Sequence, residues 1–77
     1  MARVVSPVRL RAARENAGLS REVVAVSTHK AFSTIVQYER TTLRAIEPPA
    51  RVLMRLAELY GCALEDFFDE EPEAVAQ

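Results

Sequence analysis

Residues 18–40 read GLSREVVAVSTHKAFSTIVQYER, and the fold turns on how that stretch divides. Gly18 suits the left-handed backbone that ends a helix, a conformation other residues resist. Two residues later Ser20 can cap a new helix, with Glu22 in its first turn, where the helix dipole favours an acid. That helix carries Val23, Val24, Ala25 and Val26 and fades at Ser27-Thr28. Its β-branched run weakens its intrinsic propensity, so packing must hold it. A turn through His29-Lys30 leads to a further helix, roughly Phe32 to Arg40. On it Ile35 and Tyr38 point one way, and Phe32, Ser33, Val36, Gln37 and Arg40 the other.

Outward from this pair the chain stays helical. Upstream, Ser6-Pro7 supplies a cap and a proline at the first helical position, where its missing N–H costs nothing. Leu10, Ala13 and Ala17 then keep helical spacing up to Gly18. Downstream, residues 41–48 (TTLRAIEP) break the pattern, and Pro48-Pro49 sets up a fourth helix with Leu53, Leu56, Ala57 and Tyr60 as its buried stripe, ending at Gly61. A fifth, short helix is expected from about Leu64 to Phe68. No strand with convincing alternation is legible. The expectation is an all-α, compact five-helix domain over residues 1–68 and a frayed acidic tail over 69–77.

Composition narrows the function. Seventy-seven residues make one small domain, which buries only about 60 % of the surface its unfolded chain exposes. One cysteine (Cys62), one histidine (His29) and two glycines leave no zinc cluster, no phosphate-cradling glycine loop and no Ser-His-Asp set. No enzyme, metal, cofactor or small-molecule ligand is expected. No apolar run approaches the ~18 residues of a membrane span, so a soluble cytoplasmic binding module is the starting point. The net charge of −1 conceals a split: residues 1–55 hold all ten bases against four acids, a net of +6, whereas residues 56–77 hold seven acids and no base. A basic body with an acidic end suits a polyanionic partner on one face, although solubilising surface charge has the same signature.

The stretch from Gly18 to Arg40 resembles the helix-turn-helix of the Cro and phage-repressor type, the xenobiotic-response-element-like group of bacterial regulators. Gly18, Leu19, Ser20, Glu22, Val24, Ala25, Ile35 and Glu39 match its run in type and register. RVLMRLAELYGCALEDFF, residues 51–68, is similar to the family's closing segment, so the likeness covers residues 10–68. Three positions depart from it: Thr28 stands for an apolar helix end, His29 for the turn glycine and Lys30 for the apolar residue after it. His29 is therefore expected either to hold a positive φ or to sit in a remodelled turn, a turn residue rather than a ligand or a pH switch. The segment from Glu39 to Pro48 is longer than the family's commonest form and lacks its glycine. Cys62 stands where the family has a buried valine, which implies a small core thiol.

The resemblance implies a lambda-repressor-like fold that places the third helix in the major groove of double-stranded DNA, which is about 12 Å wide and admits one helix. With helical geometry it implies base contacts from Phe32, Ser33, Val36 and Gln37, where Gln37 can pair bidentately with adenine. Core or dimer packing is the rival role for Phe32. Phosphate contacts are expected from Arg21, Lys30, Arg40, Thr41, Thr42 and Arg44, with Arg44 equally readable as a solvated loop residue. Arg14 and Glu39 are implied to form a partly buried ion pair between the first helix and the end of the third. One domain reads few base pairs, so a homodimer through the fourth and fifth helices is expected, with Leu43, Ile46, Val52, Phe67 and Phe68 as candidates. The function implied is a bacterial or phage DNA-binding repressor or other transcriptional regulator, nucleoid-associated when bound. The alternative is a protein-interaction module that keeps the fold without reading DNA.

Overall fold

The computed structural model describes residues 3–42 and 46–70. Strand β1 (Arg3–Val5) is followed by helices α1 (Pro7–Asn16), α2 (Arg21–Thr28), α3 (Phe32–Tyr38) and α4 (Ala50–Tyr60), a 3₁₀ turn over Leu64–Phe67 and strand β2 (Phe68–Glu70). The helices form for the local reasons read from the sequence. Ser6 Oγ accepts from the Arg9 amide at 3.2 Å and Ser20 Oγ from the Val23 amide at 3.1 Å, each satisfying an N–H that the helix leaves orphaned. Gly18 at φ 73° and Gly61 at φ 71° turn the chain after α1 and α4.

One core unites the four helices. Leu10 of α1, Val24 and Ala25 of α2, Ile35 and Tyr38 of α3, and Val52, Leu53, Leu56 and Ala57 of α4 are all buried, with Phe67 at its centre. The Phe67 ring meets Tyr60 edge-on, centroids 6.1 Å apart, an arrangement favoured by the ring quadrupoles.

The helical body is as expected, but there are four α-helices among the described residues, not five. Leu64–Phe67 is a 3₁₀ turn, because the Asp66 carboxylate accepts from the Ala63 amide at 3.2 Å while Phe68 leaves helical geometry to join β2. The two short strands were not anticipated either. They pair antiparallel with Val4 opposite Asp69 and Val5 opposite Phe68, and the Ser6 amide continues the ladder to the Phe67 carbonyl at 2.8 Å. The tail expected from residue 69 therefore starts later: Asp69 and Glu70 belong to β2, and the Asp69 carboxylate also accepts from Arg9. Residues 71–77 of that tail lie outside the described residues.

Burial corrects part of the expected dimer surface. Val52 and Phe67 are core residues, 7 % and 0 % exposed, and have no area left to offer a partner. Of the other candidates Ile46 is exposed, Phe68 is half-buried and packs against the core, and Leu43 lies outside the described residues.

Candidate nucleic-acid interface

Helix α3 is held by one side and open on the other. Ile35 and Tyr38 insert into the core, while Phe32 and Ser33 are exposed and Val36 and Gln37 half-buried. These four share the side of the helix away from the core, as their spacing predicts. Phe32 is 46 % exposed, so it does not fill the core of the monomer. The Gln37 side-chain amide makes no hydrogen bond among the described residues, and both its donor and acceptor functions remain for a ligand. Its backbone is occupied: the Gln37 carbonyl accepts from the Arg40 amide at 3.3 Å and the Ile46 amide at 3.4 Å, which brings the loop back against the end of α3.

The first junction, between α1 and α2, is tied to α3 by buried charge. Arg14 Nε and Nη2 donate to the two Glu39 carboxylate oxygens at 2.7 and 3.1 Å, and Arg14 Nη1 donates to the Leu19 carbonyl at 2.8 Å. The two side chains are 8 % and 4 % exposed. The Glu39 hydrogen bond raises the Arg14 pKa against the opposing effect of burial, so the guanidinium stays charged. Arg21, expected on a phosphate, also donates through Nε to Glu39 Oε1 at 3.1 Å. Two guanidiniums share one carboxylate beside the start of α2, where Glu22 in the first turn also faces the positive end of the helix dipole. Arg21 is thus oriented by Glu39 rather than loose on the surface. No local pattern links residues 18 apart, so this contact was not legible in the sequence.

The second junction, between α2 and α3, is held by backbone. His29 adopts the left-handed conformation, φ 58° and ψ 38°, the first of the two alternatives for this turn. Its amide donates to the Val26 carbonyl at 3.2 Å and the Lys30 amide to the Ala25 carbonyl at 3.0 Å, closing α2. Thr28, polar where an apolar residue was the family norm, turns its hydroxyl to the Val24 carbonyl at 2.8 Å and so satisfies it within the helix. Lys30 at one end of α3 and Arg40, Thr41 and Thr42 at the other are exposed. Arg44 lies outside the described residues.

A family model described as a helix-turn-helix domain matches residues 8–67, which takes in both junctions and the whole helical body. The chain belongs to the helix-turn-helix domain family. Membership in it supports DNA as the partner class and a DNA-binding regulator as the general function. No curated protein matches the chain. In this helix-turn-helix domain no described helix is long and apolar enough to cross a membrane, and no group of three metal-binding side chains occurs among the described residues. Cys62 is half-buried against the core, and burial and the nearby Asp66 push its thiol pKa up, which suits a packing role better than a reactive one.

Proposed function

We propose that this helix-turn-helix protein is a sequence-specific transcriptional regulator that acts as a homodimer on a two-fold-symmetric operator, with α3 in the major groove. The observation that carries the reading is the anchoring of α3 through Ile35 and Tyr38, which leaves Ser33 and Gln37 available on the opposite side. Gln37 supplies the adenine-type bidentate pair, Ser33 a less selective hydrogen bond, and Phe32 and Val36 contact with thymine methyls. Arg21, Lys30, Arg40, Thr41, Thr42 and Arg44 take backbone phosphates. The Arg14–Glu39 pair acts by holding α1 and the loop after it against the end of α3, not by touching DNA.

Selection against a randomised duplex library at about 150 mM salt, followed by salt titration of the enriched duplexes, tests this. The expected result is an inverted repeat bound with a steep salt dependence from released counterions. Absence of enrichment overturns it.

A second reading has its own support. Phe32 is exposed and Val36 half-buried on the free side of α3, and Val23 and Val26 on α2 are exposed too, with Val26 75 % open to solvent. A protein-interaction module could dock through such an apolar surface, and its binding would be insensitive to moderate salt, opposite to the DNA reader.

A further inference from the structure

Behind the second junction lies a recess of about 390 Å³ between the end of α2 and the first turns of α4. Ser27, Thr28, His29 and Lys30 form one wall; Arg51, Val52 and Arg55 form the other. Its lining holds three cations and an imidazole and not one carboxylate. Arg51 and Arg55 stand one helical turn apart, so both guanidiniums lie along the same side of α4. Among the described residues, Lys30, His29 and Arg51 have no ion-pair or hydrogen-bond partner for their side chains, and Arg55 has only the exposed Glu58 at 3.4 Å. The start of α4 adds to this: its cap is Pro49, which supplies no side-chain acceptor, and its first turn carries no acid to offset the helix dipole. Four of the arginines outside the recess are paired, Arg9 with Asp69, Arg11 with Glu15, and Arg14 and Arg21 with Glu39, whereas Arg40 at the end of α3 is exposed without an ion-pair partner among the described residues. Gathering three cations around a concavity with only the exposed Glu58 to offset one of them is electrostatically unfavourable, and an anionic ligand would relieve it.

We propose that this recess binds a compact phosphorylated anion, a diphosphate or triphosphate group, as a ligand separate from DNA. Arg51 and Arg55 grip the phosphate oxygens, Lys30 and His29 close over them from the turn, and Val52 supplies the apolar floor. The volume lies in the range of small-molecule sites, about 300–1,000 Å³, and suits a few phosphate groups rather than the convex backbone of a duplex. Free inorganic polyphosphate and a nucleotide carry the same chemistry. The proposal rests on the recess and not on what α3 reads; Lys30, also given to a DNA phosphate above, is the one residue the two readings share.

The test is a titration of the DNA-free protein with inorganic pyrophosphate, and separately with adenosine triphosphate, followed by backbone amide NMR at low salt. Saturable shifts confined to residues 27–30 and 50–55 are expected. Arg51→Ala with Arg55→Ala should weaken binding at least tenfold, whereas Arg11→Ala, which removes an exposed cation on α1, should change it less than twofold. Equal binding of the two probes identifies the phosphate chain as the determinant, and tighter adenosine triphosphate binding adds a base contact; either supports the site. Non-saturating shifts, or shifts spread over all basic residues, overturn it. A final arm adds pyrophosphate to protein saturated with a random duplex. Persistence of the recess shifts is expected. If the duplex displaces pyrophosphate and the double variant loses duplex affinity, the recess belongs to the DNA footprint and the separate ligand is excluded.

Discussion

The first two inter-helix junctions of this domain solve the same problem with different materials. Between α1 and α2, Gly18 makes the turn at φ 73° without a side chain to obstruct it, and Arg14 fastens the loop to Glu39. Between α2 and α3, His29 makes an equivalent turn at φ 58° with a full side chain, and backbone amides with the Thr28 hydroxyl fasten it without an ion pair among the described residues. At the first junction Arg14 and Glu39 are buried inside the fold and Arg21 is held by Glu39 while still a third exposed; the charges at the second remain exposed. The comparison separates residues that set the angle between α2 and α3 from residues able to meet a partner, although both groups are arginines, lysines and polar side chains in one basic half of the chain.

The strongest way to break the first junction is Glu39→Ala. It strands two guanidiniums, one of them buried, and should cost about 3–5 kcal/mol in chemical denaturation. Arg21→Ala should cost far less, since Arg14 still neutralises Glu39, and should weaken binding to all duplexes alike by removing a phosphate contact. A large loss of stability from Arg21→Ala would mean that the second guanidinium is as integral as the first.

Next in size is the recognition side. Gln37→Ala should lower affinity for the selected duplex by ~1–3 kcal/mol and relax one operator position, read by competition binding. Parent-like binding by both Gln37→Ala and Arg21→Ala would place the wrong side of α3 in the groove.

The second junction can be sharpened instead of broken. His29→Gly removes the steric penalty of a left-handed non-glycine residue and should stabilise the domain by about 0.5–1 kcal/mol, because the more flexible unfolded chain offsets part of the gain. A β-branched residue there, as in His29→Val, should destabilise. No change in either variant would show that the turn opens in solution.

A smaller effect is set by pH. Burial raises the phenol pKa of Tyr38 and of Tyr60 above the ordinary value of 10.0. Between the unfolded and folded values the native state holds more protons, so stability falls as pH rises through that window. The midpoint of urea unfolding should be insensitive to these groups below pH 10 and drop above it, and Tyr60→Phe should flatten the decline.

The features legible in the sequence were local ones. Helix starts at Ser6 and Ser20 and the stops at Gly18 and Gly61 depend on the residue itself and its next three or four neighbours, and α3 shows its two sides through simple periodicity. The rest depends on distant parts of the chain. A three-residue strand is too short to show alternation, and β1 forms only because β2 reaches it. The 3₁₀ turn shares its residues with an expected helix and differs because Asp66 caps the Ala63 amide and Phe68 is drawn into that pairing. Val52 was misread as surface because α4 buries a wider stripe than its most regular positions suggest, with Val52 and Leu53 adjacent and both inside. At the candidate site, Gln37 and Ser33 could be read from helical spacing, but the second arginine on Glu39 and the pairing of Lys30 with Arg51 and Arg55 around one recess require the tertiary fold.

The β1–β2 ladder joins segments from opposite ends of the described chain, and this gives it a place in time. Closing so large a loop costs entropy before any contact is made, and the cost rises only slowly with length. Helices formed from neighbouring residues can nucleate first, so the ladder should close last on the way to the native state. It should also open first: the amides of β1 and of Ser6 should exchange with solvent well ahead of those in the buried turns of α2 and α4. The domain is thus fastened by a clasp that shuts only after the helical body has assembled.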